Sequence, residues 1–133
     1  MTQEDKELLL KDLSARLPYY TNCFSEYADD NWAILTTTVY SHTANCSPDE
    51  IGIKPYLFPL SSMTEEQKLE IKSLCDDTEI FDDGGWMSYI SILGSFNFEI
   101  NLAVVDWYNK NHFDYRGLIP MGLAIDATGL NVY

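Results

Sequence analysis

His112 is the residue with the most chemistry around it. It lies in the run 106–126, Asp-Trp-Tyr-Asn-Lys-Asn-His-Phe-Asp-Tyr-Arg-Gly-Leu-Ile-Pro-Met-Gly-Leu-Ala-Ile-Asp, with Asp106, Asp114, Tyr115, Arg116 and Asp126 close by in sequence. Imidazole titrates nearest neutrality of all side chains, and a carboxylate can orient it. His112, Asp114 and Arg116 are therefore the catalytic candidates, as an acid–base pair or part of a metal site. The same residues also have a structural reading, which we prefer. Lys110 and His112 fall where a helix C-terminus favours positive charge, and Asp114 with Arg116 can brace the turn that Gly117 permits.

Other constellations fail on their spacing. The acids Asp76, Asp77, Glu79, Asp82 and Asp83 have the oxygen ligands that Ca²⁺ or Mg²⁺ needs. If Gly84 is set at the sixth position of a calcium loop, however, Phe81 falls at the third and Ile90 at the twelfth, where carboxylates are required. A solvated acidic loop remains. Nucleophilic catalysis needs a Cys or Ser beside a positioned base, and neither His42 nor His112 stands in such a pattern with Cys23, Cys46, Cys75 or a serine. Glycine-rich phosphate loops are absent, and Asp83-Gly84-Gly85-Trp86 reads as a turn. The sequence thus implies no metal and no cofactor. What is left is aromatic: Trp107, Tyr108 and Tyr115, with Trp86 and Tyr89, are of the types that anchor interfaces and equally of the types that fill small cores. Trp107, Tyr108 and Tyr115 are the partner-binding candidates.

Composition narrows the class. The 133 residues carry a formal charge of −13, yet 46% are apolar and 14% aromatic, enough for a folded core. No Lys or Arg occurs in 17–53 or in 73–109, and the second window holds seven acids. Nucleic-acid affinity rests on Lys and Arg neutralising phosphates, so direct DNA or RNA binding and docking on an anionic membrane are both disfavoured. The N-terminus lacks the basic start and apolar core of a signal peptide, and no run approaches the ~20 apolar residues of a membrane span. Three scattered cysteines without a Cys-x-x-Cys pair suit a reduced, cytoplasmic protein.

The elements that must position these residues follow from the pattern. Thr2 caps a helix whose stripe is Leu10, Leu13 and Leu17, widened by Leu9, with Lys6, Lys11 and Arg16 at polar positions; Pro18 ends it near Leu17. Residues 20–27 and 32–40 read as two strands around an Asp29-Asp30-Asn31 turn, and 51–54 as a third in an antiparallel sheet. Pro55 and Pro59 bracket an extended connector. Thr64 and Gln67 form a capping box for a helix to about Cys75, with Ile71, Leu74 and Cys75 inward. Residues 79–93 read as a hairpin through Asp82-Asp83-Gly84-Gly85, and 96–101 as a short extended segment. Asn101 then caps a helix to about Asn111, with Leu102, Val105 and Tyr108 on one face.

Three stretches carry a resemblance: Leu9-Lys-Asp-Leu-Ser-Ala-Arg-Leu-Pro-Tyr19; Ile53-Lys-Pro-Tyr-Leu-Phe-Pro-Leu-Ser-Ser-Met-Thr64; and Asn111-His-Phe-Asp-Tyr-Arg-Gly-Leu-Ile119 with Gly122-Leu-Ala-Ile-Asp126. The chain resembles an uncharacterised group of small acidic proteins from phage-like and other mobile elements of gut Bacteroidetes; residues 20–50 depart from that pattern. The resemblance implies context, an accessory cytoplasmic protein of a mobile element, and no site residue.

The sequence therefore predicts a single α+β domain over 1–133: an N-terminal helix, a small antiparallel sheet, two further helices and a C-terminal extended tail. The expected function is a non-enzymatic protein–protein interaction. The alternatives are an acidic decoy that mimics nucleic acid on a basic surface, and a small metal-assisted hydrolase using His112 and nearby carboxylates.

Overall fold

The computed structural model describes residues 1–74 and 98–133. The fold is α+β, with four α-helices and a small mixed sheet of five strands among the described residues. Two compact units form: Met1–Ser62 with His112–Tyr133, and Met63–Asn111.

The first unit begins with α1 (Gln3–Arg16). Its start is fixed locally: Thr2 Oγ1 accepts the Asp5 N–H and the Asp5 carboxylate accepts the Thr2 N–H, both at 3.1 Å. A 3-10 turn, Leu17–Tyr19, ends it at Pro18 as expected. The strands β1 (Asn22–Ser25) and β2 (Trp32–Ile34) form an antiparallel hairpin, and β1 also pairs antiparallel with β3 (Ile53–Pro59). Between β2 and β3 lies α2 (Thr37–Asn45). Leu9 and Leu13 of α1, Cys23, Leu35 and Ile53 make one core cluster, against which Val39 and Tyr40 of α2 pack. A second cluster holds Leu57, Leu118, Leu123 and Ala124.

The predicted C-terminal tail is instead folded into the sheet. Two short strands, β4 (Phe113–Asp114) and β5 (Ile125–Asp126), add to β3 in parallel, which makes the sheet mixed rather than antiparallel. Alternate residues of a strand direct their backbone groups to opposite edges. On one edge of β3, Gly52 accepts from Glu26 N–H at the end of β1, and Phe58 N–H donates to His112 C=O before β4. Leu57 C=O faces the other edge and accepts from Ala127 N–H after β5.

Three further expectations are corrected. Residues 35–40 were predicted to continue a strand, but Thr36 turns the chain into α2: its Oγ1 accepts the Val39 N–H at 3.2 Å, and Thr43 Oγ1 donates back to Val39 C=O at 2.8 Å. Capping and burial of Val39 and Tyr40 override the β preference of a Thr-rich run. The connector at 55–59 is the second half of β3, because its only prolines, Pro55 and Pro59, leave Tyr56 and Phe58 free to bond. Arg16, placed among polar positions, is fully buried.

In the second unit, α3 (Glu65–Leu74) starts with the predicted capping box, Gln67 N–H to Thr64 Oγ1 at 3.2 Å and Thr64 N–H to Gln67 Oε1 at 2.8 Å. Ile71 is buried, and Leu74 is half-buried. The helix α4 (Phe98–Lys110) begins ahead of Asn101, so Asn101 is an internal residue rather than the cap, and Phe98 and Ile100 are helical rather than extended. The expected hairpin at 79–93, the acidic cluster at 76–83, Cys75, Trp86 and Tyr89 lie outside the described residues.

Candidate functional site

The face that Leu9 and Leu13 turn inward also carries positions 12 and 16, since i, i+3, i+4 and i+7 share one side of a helix. Asp12 and Arg16 are accordingly core residues, both fully buried. Arg16 Nε donates to Asp12 Oδ2 at 2.8 Å, and Arg16 Nη2 donates to Asp12 Oδ1 at 3.1 Å and to Phe113 C=O at 2.6 Å. Arg116 Nε reaches the same Oδ1 at 3.3 Å. Both guanidinium groups lie over the Tyr115 ring, at 5.5 Å for Arg16 and 4.7 Å for Arg116, and Arg116 Nη2 donates to the Tyr115 hydroxyl at 2.8 Å. One carboxylate thus gathers two arginines and an aromatic face, and ties α1 to β4. Arg16 Nη1 is buried without a hydrogen-bond acceptor among the described residues. This is a tightly packed clasp, with its carboxylate oxygens engaged by three donors.

His112 sits beside the clasp in a left-handed conformation, φ +63°. Its ring stacks on Tyr133 with centroids 3.8 Å apart, and Nδ1 lies 3.4 Å from Thr21 Oγ1. Burial, reinforced by the Arg16 charge, pushes the imidazole pKa down to about 4, so His112 is neutral at pH 7. Asp114 does not assist it. Its two carboxylate oxygens accept the backbone N–H groups of Leu118 at 2.8 Å and Ile119 at 2.9 Å, and so close the turn before Gly122. The three catalytic candidates come from one short stretch, but each is engaged with different structural partners. Among the described residues, no three His, Cys, Asp or Glu side chains gather as a metal site would require. Cys23 is buried, and burial raises its thiol to about 12, which removes the thiolate needed for nucleophilic chemistry.

The aromatic candidates are also engaged inside their units. Tyr108 is fully buried, Trp107 donates its Nε1–H to Glu70 Oε2 at 3.0 Å, and Tyr115 lies under the two arginines. Exposed large apolar side chains are scattered over the described residues, among them Tyr20, Tyr27, Leu69, Met121 and Leu130, but Trp32 and Ile34 are the two that share one strand of the sheet. One sheet face is buried through Cys23, Ser25, Ile53, Pro55 and Leu57. The opposite face presents Phe24, Trp32 and Ile34, and Trp32 and Ile34 are each 41% exposed on β2 at the sheet's end. Tyr133 meets Phe58 there, with ring centroids 5.8 Å apart. Its hydroxyl accepts Asn22 N–H at 3.0 Å and donates to Tyr56 C=O at 2.7 Å, bridging β1 and β3 where they separate. Sequence reasoning missed this face because it assigned Trp32 to a long strand. The available signal was the period-2 spacing of Trp32 and Ile34 around the small Ala33, next to an Asp-Asp-Asn turn.

Compared with protein-family models, curated proteins and solved structures, the chain has no significant match. No helix among the described residues is long and apolar enough to cross a membrane.

Proposed function

We propose that this is a non-enzymatic protein–protein interaction protein whose contact surface is the open sheet face at Trp32 and Ile34. The observation that carries the reading is the pair of exposed large apolar side chains, side by side on an end strand. Exposed apolar surface with a polar rim is how interaction sites present themselves. The engagement of His112, Asp114 and Arg116 in structural contacts supports the same reading. The free thiols of Cys23 and Cys46 and the resemblance to mobile-element proteins support a cytoplasmic accessory role.

The test is cross-linked capture from the native host with the wild type, with a Trp32→Ser/Ile34→Ser double variant, and with Leu69→Ser on α3 as the exposed control. The reading expects one partner lost from the double variant alone. Undiminished capture by the double variant overturns it.

One observation favours the decoy reading as a second choice. Glu26, Asp29, Asp30, Asp49 and Glu50 are exposed within the base-free window, while Lys6 is drawn to Cys46 C=O at 2.7 Å and Arg16 and Arg116 to Asp12. A decoy would compete with nucleic acid for its partner and lose it at high salt, since exposed charges are screened within ~10 Å at 0.1 M. No observation favours the hydrolase reading.

A further inference from the structure

The interaction reading above leaves open how a partner docks and what it carries, and the inference here rests on that reading. In an antiparallel pair, strand residues alternate between those whose backbone groups face the neighbour and those that face away. Two bonds fix the phase in β2: Ser25 N–H donates to Asn31 C=O at 3.2 Å, and Leu35 N–H donates to Thr21 C=O at 2.8 Å. With Cys23 opposite Ala33, residues 31, 33 and 35 face β1, so Trp32 and Ile34 turn their N–H and C=O groups outward. β2 has no neighbour on that side among the described residues. Asp30 Oδ1 already accepts the Trp32 N–H at 3.2 Å. The Trp32 carbonyl and both Ile34 groups remain for an added strand.

Charge selects the occupant. Glu26, Asp29 and Asp30 are exposed in the turn that leads into β2. Glu50, with Asp49 next to it in sequence, is tied to that turn by the Tyr27 hydroxyl, which donates to Glu50 C=O. A second copy pairing through β2 would set these acids near their own kind, on a chain of formal charge −13. A cationic chain would find the backbone groups, the Trp32 and Ile34 side chains and the acids together. We propose that β2 is an acceptor edge for an extended, cationic segment of a partner protein, one that alternates apolar residues with Lys or Arg and adds to the sheet as a further strand. The edge is only Trp32–Ile34 and one of its donors is occupied, so the contact is weak and salt-sensitive.

The probe is a capped peptide of alternating Lys and Val, compared with an alternating Glu–Val peptide and with a Lys–Val peptide in block order, by calorimetry and by exchange protection of the Ile34 amide. Alternating Lys–Val is expected to bind and to protect Ile34, with the other two failing. Ile34→Pro removes an outward donor without touching the β1 ladder, and is expected to weaken binding roughly tenfold. Glu26→Lys/Asp29→Lys, which changes only exposed side chains, is expected to exchange the preference to Glu–Val. The proposal is overturned if Lys–Val does not bind, if block order binds as well, or if both variants bind as the wild type does. If a host partner is still captured through Trp32 and Ile34 in that event, the interaction reading survives without strand addition. If capture is also indifferent to those two residues, both readings fall.

Discussion

At the scale of single residues, the clasp of Asp12, Arg16 and Arg116 belongs to stability rather than catalysis. A buried pair stripped of one partner leaves a charge that water cannot reach, so Arg16→Met is expected to cost about 3–5 kcal/mol in urea unfolding. Arg16→Lys should recover little of it, because an ammonium cannot reproduce the fork that meets both Asp12 oxygens and the Phe113 carbonyl. The double change Asp12→Leu/Arg16→Met should cost less than Arg16→Met alone, since no buried carboxylate is then left with Arg116 as its single partner and Arg116, which is partly exposed, can turn to water. His112 gives a pH dependence whose sign follows from its lowered pKa. The unfolded chain takes up this proton near the ordinary 6.5, while the folded protein resists until about 4. Its contribution is therefore intact above pH 6.5 and is lost as pH falls from 6.5 to 4. His112→Asn, which tolerates the left-handed backbone, should flatten that part of the profile; the difference between the two stability curves over this window is the measurement.

At the scale of elements, close approach matters as much as periodicity. A methyl group at Gly52 would fall 2.9 Å from both Glu26 Cβ and the Tyr27 ring. The Glu26-to-Gly52 backbone bond at 2.9 Å holds the end of β1 against the start of β3 at that point. Gly52→Ala is expected to destabilise by about 1–3 kcal/mol, the usual cost of overpacking, as read from the shift in thermal midpoint. The helix starts at Thr2 and Thr64 were legible because a Thr cap and its partners lie within four residues, a capping box being visible in the sequence at Thr64 and forming in the structure at both. Thr36 caps its helix by the same chemistry but lacks the reciprocal Glu or Gln, and the run Thr-Thr-Thr-Val that contains it reads equally well as strand. Packing of Val39 and Tyr40 on the cluster that holds Leu9 and Leu13 decides between them.

At the scale of the whole molecule, the candidate site changed place. The run 106–126 has the richest residue types, yet its Arg116 serves the clasp, its Asp114 a turn and its His112 a ring stack on Tyr133, while the exposed apolar pair lies on β2. The sequence by itself determined the acidity, the α+β class, the first helix with its cap, the capping box at Thr64 and the turn before Trp32. Each of these depends on composition or on residues a few positions apart, where the physical interaction is local. Tertiary structure alone decided that Asp12 and Arg16 face the core, that Arg116, a hundred positions on, shares their carboxylate, and that 113–126 returns to β3 in parallel. It also decided which residues of β2 are left facing outward. These outcomes depend on pairings between distant segments, where burial and backbone bonding select one partner among many that the chain could have offered.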